Sequence, residues 1–455
     1  MPDRQPASVE VNEEEQFRVV LDAFAEDAVE EARFRLAGLD EPAIARLLES
    51  TPPTTRRALW ELLDEETENL VLQYLHEDVR AEFLDIMATE QLVQAADALD
   101  TDDFADILHQ LPEETSDEVL KSLPTVDRAR LEAVLSYSDD CAGGLMNTDT
   151  VTVRPRHTLE VVLRYLRTRR QLPESTDALI VVNSKDEYVG LLPITRLLTA
   201  DASVTVREIM NTDIESIPAD MTDTEVARRF SDQDLISAAV VNGENIVIGR
   251  ITIDDVVDVI IEDAQDAVMG QAGMDADEDT FAPIFKAFRG RALWLTINLA
   301  TAFLASAVIN LFEGTIAKVV ALAVLMPIVA SMGGIAGTQT LTLVVRGMAL
   351  GHVRRSNLLY LLNREVVVAA MNGLLLAAVV ATAAAAVFQD VTLGIVIAVA
   401  MVVNILVAAA AGSLLPSLLQ LLRIDPAIAG GVVLTTITDV IGFFVFLGLA
   451  TVMYA

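Results

Sequence analysis

The 455-residue chain is predicted to be a multidomain membrane protein: an α-helical superhelical domain, a tandem α/β repeat, an acidic connecting helix and a five-helix α transmembrane bundle. Three observations predict it. Apolar runs dominate after Phe288, whereas everything before reads as soluble and charged. The phrase Met146-Asn147-Thr148-Asp149 returns as Met210-Asn211-Thr212-Asp213. Charge is equally uneven: residues 289–455 hold eight Lys/Arg and five acids, leaving 24 Lys/Arg and 62 Asp/Glu, net −38, in residues 1–288.

That acidity argues against nucleic acid as a partner, which needs basic surface. It favours divalent cations, although a solubilising surface explains many of these carboxylates equally well. Cys141 is the single cysteine, which suits a reducing compartment. The first 35 residues are acidic and lack an apolar core segment, so no cleavable signal peptide is expected. No nucleophile elbow, P-loop or His/Cys cluster is visible, and His76, His109, His157 and His352 are scattered. The chain does not read as an enzyme.

Residues 1–16 are polar and acidic, a predicted disordered tail. Residues 17–140 form the acidic helical domain, with apolar residues three and four apart in Leu59-Leu62-Leu63 and Phe83-Leu84-Met87. Breaks recur at Thr51-Pro52-Pro53, Leu111-Pro112 and Leu123-Pro124, which suggests a solenoid-like stack of short helices. In residues 141–262 each repeated phrase leads to a helix, near 158–168 and 222–231. A β-branched run follows, Leu179–Asn183 or Ala239–Asn242, then a second short strand. Two such units resemble a pair of CBS domains. That resemblance implies ATP or another adenine nucleotide, an ion, or dimerisation as what the pair serves.

The helix leaving the second unit carries Asp254, Asp258, Glu262 and Asp266 at i, i+4 spacing, with Asp255 and Asp263 beside them. Like charges so placed repel by a few tenths of a kcal/mol per pair. The face is either simply solvated or stabilised when divalent cations bridge it, since hard cations prefer carboxylate oxygen. The connecting helix is expected over residues 263–289.

Five apolar stretches in residues 290–455, near 291–312, 317–345, 358–388, 391–421 and 427–453, each exceed the ~20 residues needed to cross a lipid bilayer. Arg289 and Arg291 precede the first; Arg346, Arg354, Arg355 and Arg364 cluster between the second and third; Arg423 lies between the fourth and fifth. The positive-inside rule therefore predicts a cytoplasmic N-terminus and a C-terminus outside. Asp439 lies deep in the last span, where a carboxylate costs a few kcal/mol and usually serves function. Pro327 and the run Gly333-Gly334-Ile335-Ala336-Gly337-Thr338-Gln339 lie in the second span. The glycines permit either backbone exposed to a cavity or close helix packing. Pro416 and Asn404 read as kink and packing features, and Arg364-Glu365 as an interfacial ion pair.

The order of these parts, with the pairing of Pro327–Gln339 and Thr438-Asp439-Val440-Ile441-Gly442-Phe443, resembles the MgtE family of magnesium transporters over almost the whole chain. The resemblance implies a multi-pass protein of the cell inner membrane, a homodimer with its pore between protomers. Asp439 then matches the pore carboxylate that holds hydrated Mg²⁺, lined further by Gly333, Gly334, Gly337, Thr338, Gln339 and Thr438. It also implies closure by intracellular Mg²⁺ at Asp234, Asp255, Asp258, Asp263 and Asp266, with Asp425 on the pore side. Two positions depart from the family pattern: Ile335 stands for an Asn and Val432 for a Pro. Alternatives are a CBS-regulated transporter of another ion, or a nucleotide-sensing membrane anchor.

Overall fold

The structure, a computed structural model, describes residues 13–169, 172–173, 175–271, 274, 278–349, 352–354, 356–422, 424 and 426–455. The chain divides into two compact units, Met1–Ala264 with Asp277–Pro283, and Gln265–Ala276 with Ile284–Ala455.

In the first unit, ten short α-helices run between Glu13 and Val134. Helix formation starts at Glu13, four residues inside the expected tail; residues 1–12 lie outside those described. Glu13, Glu14 and Glu15 occupy the first turn, where the helix dipole favours negative charge. Proline punctuates the stack. Pro53 opens the Pro53–Trp60 helix, while Pro112 and Pro124 immediately precede Glu113–Ser122 and Thr125–Val134. Proline's fixed φ suits helix entry, and its missing N–H bars it from the interior.

Leu47, Leu59, Leu72, Phe83 and Leu92 form the buried core of this stack, with Trp60 stacked on Phe83 at 4.0 Å. Arg56 is fully buried among them. It donates to Leu48 O at 2.9 Å, Thr51 O at 3.1 Å and Asp279 Oδ2 at 3.0 Å, with Glu82 at 3.4 Å. Asp279, from the segment before the first membrane helix, is thereby fastened to the N-terminal helices.

The repeat gives two three-stranded sheets of identical topology. In the first, β1 (Thr152–Val153) pairs parallel with β2 (Ala178–Val182), which pairs antiparallel with β3 (Tyr188–Pro193). The second repeats this with β4 (Ile217–Pro218), β5 (Ser237–Val241) and β6 (Val247–Thr252). The crossover helices, Leu159–Arg169 and Asp223–Gln233, lie within two residues of the predicted spans.

The repeated phrase has a structural job: each copy laces onto the other unit. Asn147 exchanges both backbone hydrogen bonds with Arg250 in β6, and Asn211 does so with Leu191 in β3. Gly190 and Gly249 permit this close approach. A Cβ at Gly190 would lie 2.4 Å from Asn211 O, and one at Gly249 2.7 Å from Met146 Sδ. The second repeat also shares one apolar core with the N-terminal helices, joining Leu92 and Phe104 to Phe230, Val240 and Val256.

The helix after β6 runs Ile253–Gln271, starting ten residues before the expected connecting helix. Residues 278–283 are not helical, and the next helix starts at Ile284. The expected single helix over 263–289 is therefore two elements with a non-helical segment between them.

Among the described residues, the second unit holds five helices long and apolar enough to span a membrane: Ile284–Asn310, Ala321–Met348, Leu358–Phe388, Val391–Leu421 and Ala429–Met453. A short helix, Glu313–Lys318, joins the first two. The fourth span is the most buried and packs against the second, third and fifth. Arg364 and Glu365 form the expected ion pair at 2.8 Å. Asp390 caps the fourth span by accepting from Thr392 N at 2.8 Å, and Tyr454 donates its hydroxyl to the same carboxylate.

Candidate functional site

The second span is an unbroken helix, Ala321–Ala349, in spite of Pro327 and the glycines. Two of those glycines serve packing. A Cβ at Gly333 would meet Asn404 Nδ2 at 2.2 Å, and one at Gly337 would meet Leu434 at 3.0 Å. From the opposite side, a Cβ at Gly412 would sit 2.8 Å from Gly337 O. Pro416 lies within the continuous Val391–Leu421 helix.

On the far face of the same helix, a cavity of about 750 Å³ opens toward the surface of the unit. Ser331, Gly334, Ile335, Thr338, Gln339 and Thr342 line it from the second span; Thr435 and Asp439 line it from the fifth. Their spacing of i, i+3, i+4, i+7, i+8 and i+11 is one helical face. Space beside Gly334 is open, with nothing within 4 Å of a Cβ there.

Four expected residues thus converge: Gly334, Thr338, Gln339 and Asp439. Gly333, Gly337 and Thr438 are corrections. The glycines face neighbouring helices, and Thr438 is fully buried, donating to Thr435 O at 3.0 Å. Ser331, Thr342 and Thr435 were missed, although the polar stripe on the second span was readable as a period of 3.6. Ile335, the departure from the family pattern, is half exposed and puts an apolar side chain on the cavity wall.

In the first unit, the Ile253–Gln271 helix begins beside Asp255, which accepts from Thr252 N and Oγ1 at 3.0 Å each. Asp254, Asp258, Glu262, Asp263 and Asp266 are exposed along the helix, as the spacing predicts. Sequence reasoning missed what Asp255 faces. Asp102 and Asp103, in the Thr101–Gln110 helix, lie within its electrostatic reach, and Asp102 is buried with Oδ1 lacking a hydrogen bond. Burial, then repulsion by Asp255, raises Asp102 well above the usual carboxylate range. The same two causes raise Asp103 to about 7. Burial and then Asp254 raise Asp255 to about 6, against hydrogen bonds from Thr252 that favour the charged form. No local pattern announces this pairing, because Asp102 and Asp255 are 153 positions apart and Thr101-Asp102-Asp103 reads as an ordinary acidic helix start.

Asp234 is exposed at the end of the Asp223–Gln233 helix, in a left-handed conformation with φ of 51°. Asp425 lies outside the described residues. Among the described residues, no three carboxylate, His or Cys groups converge closely enough to form a ready metal cage.

Residues 326–449 match the family profile described as divalent cation transporter; residues 39–140 match the MgtE intracellular N domain, and 142–203 and 206–262 match CBS domains. The magnesium transporter MgtE of Thermus thermophilus is 30% identical over 432 residues, covering 91% of this chain and 96% of that protein. The chain belongs to the MgtE family. The magnesium transporter MgtE of Bacillus subtilis is 28% identical over 78% of this chain and 79% of that one. The crystal structure of the cytosolic domain of the Mg²⁺ channel MgtE in complex with ATP is similar at 30% identity and a TM-score of 0.49, covering 53% of this chain and 99% of that one. Every residue lining the cavity falls within the matched MgtE transporter segment.

Proposed function

We propose that this MgtE-family chain carries Mg²⁺ across the membrane through the cavity at Asp439. The observation behind the proposal is one carboxylate set among hydroxyl and amide side chains, with no Lys or Arg among the lining residues. Such a wall repels anions and suits a hard, hydrated dication. Mg²⁺ sheds water reluctantly. Six waters at about 30 Å³ each occupy roughly 180 Å³, well inside a cavity of about 750 Å³. The cavity therefore has room for the ion together with its water shell.

Ser331, Thr338, Gln339 and Thr435 are exposed on one face of the unit. Polar groups on a membrane helix need a water-filled or protein wall rather than lipid. A second copy of the chain supplies that wall in a homodimer, bringing two Asp439 carboxylates to one pathway. Arginines at 289, 291, 346, 354 and 364 orient the protein in the cell inner membrane with its N-terminus cytoplasmic and its C-terminus outside.

The acidic carboxylates Asp234, Asp255, Asp258, Asp263, Asp266 and Asp425 regulate the pathway. Bridging by Mg²⁺ relieves their repulsion when internal Mg²⁺ is abundant, and closes the pore. The CBS pair is the part suited to ATP or another adenine nucleotide. Purified protein in liposomes should pass Mg²⁺, read by an internal dye, and exclude anions. Absence of Mg²⁺ flux, or anion flux of equal size, would overturn the proposal.

A further inference from the structure

We propose that a cavity at one end of the first repeat binds a polyphosphate anion, recognised by its phosphates. The cavity, about 620 Å³, is lined by Arg154, Arg156, Arg207, Asn183, Ser184 and Thr205, together with Pro155. It lies at the carboxyl ends of the parallel strands β1 and β2, since Arg154 follows Val153 and Asn183 follows Val182. Open α/β sheets bind ligands at that end.

Three arginines at one cavity run against the composition of this chain, whose first 288 residues carry 62 acids against 24 bases. Their neighbours leave most of that charge unspent. Asp186 takes Arg154 Nη2 at 2.7 Å, but Arg154 Nη1 is buried without a partner. Arg156 and Arg207 are exposed and have no ion pair among the described residues. Two neighbouring carboxylates hydrogen-bond neutral donors rather than these arginines: Glu187 accepts from Asn183 Nδ2 at 2.6 Å and Glu208 from Thr205 N at 2.9 Å.

The backbone fixes the arrangement. Arg207 N donates to Pro155 O at 3.0 Å and Val206 N to His157 O at 2.9 Å, holding the loop after β1 against the segment that opens the second repeat. Planar guanidinium groups match phosphate oxygens with paired hydrogen bonds. Among the described residues, no aromatic side chain lines the cavity to stack a base. The site therefore reads phosphate charge and is indifferent to the nucleoside. It is independent of the ion pathway, and either reading stands if the other fails.

The test is calorimetric titration of the full-length protein in detergent, with EDTA present, using sodium tripolyphosphate and separately ATP. Both should bind saturably, with similar affinity that falls as salt rises. Arg156→Gln with Arg207→Gln should weaken both by about tenfold or more. Ser184→Glu, which adds a carboxylate at an exposed wall position, should do the same with every arginine in place. Arg130→Gln, a surface change elsewhere, should leave both unchanged. No saturable binding, wild-type affinity in the double variant, or equal loss in Arg130→Gln would overturn the site. So would binding of ATP without tripolyphosphate, because the base would then be what is read.

Discussion

Gly333 of the second span lies so close to Asn404 of the fourth that a methyl group there would stand 2.2 Å from Asn404 Nδ2. Gly442 of the fifth span meets the same atom, with a Cβ at 2.7 Å. Asn404 Nδ2 donates to Val329 O at 2.9 Å, so one buried amide joins three spans. In lipid, small residues and interhelical hydrogen bonds take over the role that the hydrophobic effect plays in water.

Gly333→Ala is expected to destabilise the membrane unit by about 1–3 kcal/mol through overpacking. It should also impair flux, because the second span carries Thr338 and Gln339. Gly334→Ala, one residue on and facing open space, should leave stability unchanged. Melting of both variants in detergent checks the contrast, and equal losses would contradict it.

Arg56 makes a second prediction. Arg56→Met strands the buried carboxylate of Asp279 and the partly buried one of Glu82. Breaking a buried pair on one side costs about 3–5 kcal/mol. Thermal unfolding of the full chain should show that loss, and Asp279→Asn in the same background should recover part of it. A change within the error of the melt would mean the pair is not stabilising.

The carboxylates around Asp255 set a pH dependence. Burial raises Asp102, Asp103 and Asp255 above their ordinary value, the latter two to about 7 and about 6. Acids with raised folded values stabilise the fold when protonated, and that stability is lost as pH climbs through those values. With divalent cations chelated, the melting temperature should therefore fall between about pH 5 and about pH 8. Added Mg²⁺ should raise it more at the upper end. Asp103→Asn should flatten the profile; an unchanged slope would remove Asp103 from the effect.

Gating is read from the response rather than the basal level. On the gating proposed above, replacing Asp255, Asp258, Asp263 and Asp266 together by Ala removes both the repulsion that would open the pore and the ligands that would close it. Patch recordings should show current that internal Mg²⁺ no longer inhibits. Inhibition as steep as in the wild type would separate these residues from regulation, since a ligand shifts an equilibrium only by its differential affinity.

What was legible in the sequence follows from range. The β-branched runs of the repeat and the membrane spans are local patterns, and Leu179–Asn183 appears as β2 within a residue. The repeated Met-Asn phrase was visible, but its role was not: pairing Asn147 with Arg250 is a contact across 103 positions. Gly333 and Gly334 are neighbours in sequence, yet one faces Asn404 and the other open space. Only the position of Asn404 distinguishes packing glycine from cavity wall. Asp102 was hidden for the same reason, because its partner Asp255 belongs to another domain of the unit.

The most direct measurement is Mg²⁺ uptake into liposomes by Asp439→Asn beside the wild type, at matched insertion. Asparagine keeps the size and polarity of the side chain and removes only its charge. Asp439 shares its cavity with hydroxyls, an amide and Ile335, and among the described residues no basic side chain lines it to take over the charge. The expected result is normal insertion and folding with Mg²⁺ flux lost, and partial or reselected flux in Asp439→Glu. Wild-type flux through Asp439→Asn would contradict a pathway at this carboxylate.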